Sequence, residues 1–446
     1  MVKSKIDFTK GNITKKLILF ALPFLVSSLL QAIYNITDLF IVSRYIGSEG
    51  VAAANCGGQI MNIAIKIATG LSMGGTVIIG QYIGAKDSEG VKKSISSFLL
   101  VIAIVGMLFS LGIVIFALPI LNLINTDASI IVSATEFLQI YGVGIFFLFG
   151  YNSIFAMFKG IGNSKVTLIF VGISTIINFL LDLLFVIILD FGIKGAAWST
   201  TIAIIACFIV SLVYFWKERD SFYIESKLPM PRITLFVKTL KIGIPSAIQQ
   251  SIFGISMIFM AAFINKYGVA ATAAVEIGSK IDNLVLLPIQ ALGAATTAVV
   301  AQNIGAKKEE RVRKNLYATI GIMMFIASIA FVVVWLFAES MLSIFINDKD
   351  IIVNGVIYIK TVAFNYYLLS LLLSFNAIAI GSGNTIFPLI TTIVNGFLFR
   401  IPLALFFENI MGMGLNGLFV GLGFANIGGV IAGFLYYKLG FWKKSL

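Results

Sequence analysis

Apolar runs of about 20 residues recur along almost the whole chain, the length a helix rising about 1.5 Å per residue needs to cross a hydrocarbon core about 30 Å thick. Residues 98–118 and 320–337 carry no charged side chain at all. A lipid-exposed span must satisfy its backbone groups internally, which leaves helices or closed barrels. A barrel strand alternates apolar and polar residues, and these uninterrupted runs do not. The expected fold class is an all-α membrane protein of twelve transmembrane helices, near 15–43, 51–83, 94–118, 131–158, 163–189, 195–216, 236–265, 270–304, 315–338, 351–381, 385–409 and 415–438. Composition agrees, at 59% hydrophobic and 12% charged, against about 45–50% and 25% in soluble domains.

The formal net charge of +12 would suit nucleic acid if it formed one patch. It is scattered instead. Basic residues sit at the N-terminus (Lys3, Lys5, Lys10, Lys15, Lys16), near 86–93, 159–165, 217–241 and 307–314, and at the C-terminus, while the alternate loops hold few. The positive-inside rule makes these segments cytoplasmic, so both termini are expected in the cytoplasm and the lipid bilayer, not nucleic acid, is the partner. The basic start leads into a run well beyond 15 residues without a small-residue cleavage pattern, which reads as a retained first helix. Cys56 and Cys207 lie in apolar helical sequence and there is no histidine. Disulfide frameworks, metal clusters and imidazole chemistry are therefore not expected, and no cofactor is implied.

Self-similarity appears at an offset of about 221 residues, a signature of internal duplication. Gln81-Tyr82-Ile83-Gly84-Ala85-Lys86 recurs as Gln302-Asn303-Ile304-Gly305-Ala306-Lys307, Gly160-Ile161-Gly162-Asn163 as Gly381-Ser382-Gly383-Asn384, and Pro23 as Pro245. Six helices per half imply parallel repeats, two pseudo-symmetric six-helix bundles with the substrate expected in a central cavity between them. The expected domains are 1–216, a cytoplasmic linker 217–235 holding Pro229 and Pro231, and 236–446. Pro388, Pro402, Gly70, Gly74 and Gly75 are candidate bending points.

Polar residues inside the spans form stripes. Ser28, Gln31, Asn35 and Asp38 share one face of the first helix, and Asn55, Gln59, Asn62 and Lys66 one face of the second. Interhelical hydrogen bonding is the plain structural reading for the amides. Glu276 and Lys280, four apart, are expected to neutralise one another, and Asp282 has no assignment. Asp38 is different: a mid-helix carboxylate costs about 2.5–3.5 kcal/mol on insertion scales, and no basic residue lies within a turn. Asn178 and Asp182 share a face of the fifth helix. Two carboxylates in one dry bundle cannot both ionise unless a proton is shared or a cation sits between them. The repeat supplies a control, because Asp38 maps to Met260 and Asp182 to Leu403 or Ala404, while Arg400 stands beside Pro402. Ion handling is expected in the first half.

These motifs, with Ala21-Leu22-Pro23 and Tyr34-Asn35-Ile36-Thr37-Asp38, make the chain resemble the multidrug and toxic compound extrusion (MATE) family over essentially its whole length, and its prokaryotic DinF-like branch in particular. The resemblance implies a secondary transporter of the prokaryotic cytoplasmic membrane that acts as a monomer, not an enzyme. It would export small amphipathic, cationic compounds through a V-shaped cavity by antiport with Na+ or H+. It places cation coupling at Asp38, Asn178, Asp182 and Thr200, with Thr201 as an adjacent alternative, and adds Asn152 to the polar network. Gln31, Asn35, Gln59, Asn62, Gln249 and Gln250 are the remaining candidates for that network or the substrate pathway. NorM-like relatives keep acids in the seventh and tenth helices, where this chain has Gln249, Gln250, Ser370, Ser374 and Asn376; a second-half ion site is therefore not implied. A metal is expected only as Na+ at Asp38, Asn178 and Asp182, whose hard oxygen ligands do not suit a transition metal.

Two rivals remain. A lipid-linked oligosaccharide flippase shares the wider fold but would need a strongly cationic cavity, for which only Lys66, Lys280 and Arg400 lie within spans. An intramembrane enzyme would need a nucleophile with a base, or a metal motif, and none is present.

Overall fold

The computed structural model describes residues 6–225 and 227–443; Lys3 and Lys5 of the basic N-terminus lie outside them. Among the described residues there is no strand. The helices are α1 (Ile13–Tyr45), α2 (Gly47–Ala85), α3 (Ser88–Leu123), α4 (Ile131–Gly160), α5 (Lys165–Asp182, continued by a π-turn, Leu183–Ile188), α6 (Gly192–Lys217), α7 (Ile233–Asn265), α8 (Val269–Gly305), α9 (Glu309–Ser343), α10 (Lys349–Val362 and Asn365–Gly381), α11 (Ile386–Ile393, continued through Val394–Arg400, Ile401–Leu405 and Phe406–Ile410) and α12 (Leu415–Phe424 and Ile427–Lys438). Among the described residues eleven are long and apolar enough to cross a membrane, and the two arms of α10, bent by 42°, make twelve when taken as one span. Sequence reading gave α10 as one helix; the break at Ala363-Phe364 carries neither proline nor glycine.

The repeated motifs are turns. In Gln-X-Ile-Gly-Ala-Lys the chain reverses through a lysine in the left-handed region, Lys86 at φ 59° and Lys307 at φ 56°. After the first of these turns the Asp87 carboxylate caps α3 by accepting the Gly90 N–H at 2.8 Å, which satisfies one of the donors every helix start leaves free. In the Gly-X-Gly-Asn motif Gly162 and Gly383 take φ of 83° and 94°, a conformation that costs glycine little. The second-helix glycines are packing features rather than bends: a methyl at Gly70 would lie 2.4 Å from the Ala247 backbone, and one at Gly75 would lie 2.3 Å from the Phe98 ring.

The chain packs as two compact units, one built on Leu22–Ala247 and one on Asp7–Ala21 with Ile248–Leu446. In the first, α4 packs against α2, α3 and α6 around Phe98, Phe149, Phe158 and Phe215. The linker belongs here because Phe222 and Ile224 enter that core and Ser96 Oγ donates to the Pro229 carbonyl at 2.6 Å. In the second, α8 packs against α9 and both arms of α10. The N-terminal segment belongs to it because Phe8 is buried against Phe20, with ring centroids 4.9 Å apart. The Phe8 carbonyl accepts from the Arg311 guanidinium at 3.2 and 3.0 Å, and its N–H donates to Gln302 Oε1 at 3.3 Å. The packed units are thus drawn along different lines from the repeat halves 1–216 and 236–446.

Candidate functional site

Within the first unit, α1, α4, α5 and α6 bring polar side chains to one place. Asp182 is the last α-helical residue of α5 before the π-turn, is 1% exposed, and accepts a hydrogen bond from Ser199 Oγ on α6. Asp38 on α1 is half-buried, and its carboxyl meets that of Asp182 within side-chain hydrogen-bonding reach. Asn178, one turn before Asp182 and 3% exposed, joins the helices. With its amide turned to satisfy its surroundings, the nitrogen donates to Tyr34 Oη at 2.8 Å and Asp182 Oδ2 at 3.1 Å, and its carbonyl accepts the Thr200 N–H at 3.0 Å. Tyr34 Oη lies 3.5 Å from Thr200 Oγ1. The phenol of Tyr141, on α4, also faces Asp38.

Four candidates from sequence, Asp38, Asn178, Asp182 and Thr200, therefore stand together. Thr201 points the other way, donating to the Ile140 carbonyl at 3.2 Å beside Gly144. Asn152 donates to the Leu148 carbonyl of its own helix at 2.8 Å instead of reaching the carboxylates. Gln31, Asn35, Gln59, Asn62 and Gln250 are exposed and Gln249 is half-buried. Ser370 and Ser374 bond back to their own helix, each at 2.7 Å, and Thr391 Oγ1 donates to Asn376 at 3.5 Å. Glu276 and Lys280 are both exposed and form no ion pair among the described residues. Their expected neutralisation is not needed where both are accessible to solvent. Sequence reading missed Ser199 and Tyr141, which no spacing links to α1 or α5, and gave Tyr34 no role although it lies one turn before Asp38.

The family model described as MatE matches residues 23–184 and 245–406, most of the chain in two equal segments. The chain belongs to the MatE family. Among its relatives, the probable multidrug resistance protein YpnP of Bacillus subtilis (strain 168) is 30% identical over 98% of this chain and 97% of its own length. The probable multidrug resistance protein YoeA of the same organism is 26% identical over 98% and 96%. An outward-facing multidrug resistance MATE family transporter of the MOP superfamily shares the fold, with a TM-score of 0.93 at 22% identity over the whole of both chains.

Because the two MatE segments begin at Pro23 and Pro245, they put the repeat in register. Counted from these prolines, Asp38 matches Met260, Asp182 matches Ala404, and Ser199 matches Gly421. A methyl at Gly421 would lie 2.4 Å from Ala404 Cα. In this MatE chain the second unit thus brings two backbones together where the first holds a carboxylate and its hydroxyl donor. The carboxylate pair has no counterpart there.

Proposed function

We propose that this MatE chain is a secondary active transporter of the cytoplasmic membrane of a prokaryote, with both termini in the cytoplasm, working as a monomer. It would export small amphipathic, cationic organic compounds by antiport with Na+ or H+. The observation that carries the reading is the meeting of Asp38 and Asp182 beside Asn178, Tyr34, Ser199 and Thr200. The multidrug resistance names of YpnP and YoeA support the substrate class.

Two carboxyls in contact repel when both are ionised, and a low-dielectric surrounding strengthens that repulsion. One shared proton removes it, and so does one cation held between them. Asp38 is the more exposed of the two and would be where the ion enters. Asn178 and Thr200 add an amide carbonyl and a hydroxyl, hard oxygens of the kind Na+ prefers. Since the cluster spans α1, α5 and α6, loading it favours one packing of these helices over another. An ion shifts such an equilibrium only by its difference in affinity for the two states. The exposed amides Gln31, Asn35, Gln59 and Asn62 would line the polar route of the substrate. The flippase alternative finds little support, since Arg400 is 5% exposed and its guanidinium is engaged by Ser256 rather than open to a pyrophosphate.

Asp38→Asn and Asp182→Asn test the proposal in everted vesicles loaded by a Na+ or pH gradient. Dye exchange should fall to background in both, and undiminished exchange in both would overturn it.

A further inference from the structure

The second unit holds a buried ionisable cluster that the carboxylate pair does not involve. Asp282 on α8 is 6% exposed. Its Oδ1 accepts from Tyr366 Oη at 2.5 Å, the Tyr358 hydroxyl faces the carboxyl, and Oδ2 has no partner. Tyr358 and Tyr366 stand on the two arms of α10, either side of its 42° break. Ser279 Oγ is 3.0 Å from Tyr358 Oη. Beyond Tyr358 lies Arg400, 5% exposed, at the end of the π-turn in α11, with its charge acting on that phenol. Arg400 Nη1 donates to Ser256 Oγ on α7 at 2.9 Å and the guanidinium covers the Phe253 ring at 5.0 Å, while Nε has no partner.

The charges of the neighbouring helices are engaged or exposed. The basic residues and acids of α9 lie in its first two turns, apart from exposed Glu339; on α10, Lys349 and Asp350 are exposed and half-buried Lys360 covers the Trp335 ring at 5.2 Å; α12 carries no charge before exposed Lys438; and Glu276 and Lys280, on α8 itself, are exposed. Among the described residues no cation pairs with Asp282, and a buried carboxylate with a bare oxygen is strongly disfavoured as an ion. The repeat register is informative again. Arg400 falls at the position of Asn178, and Ser256 at that of Tyr34. Where the first unit offers an amide carbonyl that a metal cation could use, the second offers a permanent positive charge that repels one.

We propose that Asp282 is a second proton-binding site, closed to Na+, in which a proton from water adds to Oδ2 and cancels one negative charge. Tyr366 holds the carboxyl from one arm of α10 and Tyr358 faces it from the other, so its charge state bears on the break between them. The proposal does not depend on Asp38 and Asp182 being the coupling pair.

Infrared difference spectra of the purified full chain in nanodiscs, taken between acidic and alkaline buffer with and without Na+, test it. One protonated-carboxyl band should be absent from Asp282→Asn, be unmoved by Na+, and persist in Asp38→Asn. Tyr366→Phe, which keeps the acid, should move that band to higher frequency as the carbonyl loses a donor, so the test survives if Asp282→Asn does not fold. A band set identical in wild type, Asp282→Asn and Tyr366→Phe, or displacement of the Asp282 band by Na+, would overturn the site. Loss of a band in Asp38→Asn alone would overturn this site and leave the first-unit pair standing.

Discussion

Gly421→Ser would write into the second unit the residue that its repeat position carries in the first. The new Cβ would lie 2.4 Å from Ala404 Cα, 2.4 Å being far inside van der Waals contact, and 2.5 Å from the Ala404 nitrogen and Cβ. Backbone cannot swing aside as a side-chain tip can, so α11 and α12 must separate. Overpacking of this kind costs about 1–3 kcal/mol, or roughly 5- to 150-fold in the folded-to-unfolded ratio at about 1.4 kcal/mol per factor of ten. For a unit of about 200 residues, where each kcal/mol moves the midpoint by about 2–4 °C, this lowers the unfolding temperature by about 2–12 °C. The measurement is thermal unfolding in detergent, followed by the folded fraction on size exclusion. Gly321→Ala is the control, because a methyl there meets nothing within 4 Å and alanine favours the helix by about 1 kcal/mol. If Gly421→Ser unfolds with the wild type, the close approach is not a constraint, and steric exclusion no longer explains why the carboxylate pair is confined to the first unit.

Further expectations concern single contacts. Asn178→Leu removes the bonds to Tyr34, Asp182 and the Thr200 N–H; vesicle exchange should be lost even where the protein folds, and retained exchange would remove Asn178 from the mechanism. Thr200→Val should lower exchange at least several-fold, whereas Thr201→Val, which loses a bond to Ile140 worth about 1 kcal/mol, should cost stability and keep the ion dependence; the reverse result would reassign the hydroxyl. Arg311→Ala removes three charge-assisted bonds to the Phe8 and Gly11 carbonyls. Trypsin should then cut after Lys10 or Lys15 sooner than in wild type, and equal cleavage rates would show that the segment is held by Phe8 alone.

Span count was legible because membrane thickness imposes a length that soluble folding does not. The break in α10 was not, since Thr361-Val362-Ala363-Phe364 contains no residue that interrupts a helix. Asp38, Asn178 and Asp182 could be grouped from sequence because isolated acids and an amide at a one-turn spacing stand out in apolar helices. Ser199 could not, since a buried serine one residue from Thr200 looks like any other small residue until α6 is laid against α5. Asp282 is visible in sequence as an acid within a span, yet nothing near it there assigns it a role. Its partners come from α10, about 76 and 84 residues away in sequence, and no periodicity spans that distance.

The π-turn that follows Asp182 makes the position of its carboxylate depend on winding as well as on residue order. One residue more per turn than α geometry is accommodated between Leu183 and Ile188. If that stretch tightened to ordinary α pitch with its far end held, everything before it would advance by one step, about 100° around the axis. The oxygen now turned toward Ser199 would then swing away, and a leucine methyl would stand in its place. A single extra loop of backbone can thus decide whether an acid or a hydrocarbon faces Ser199.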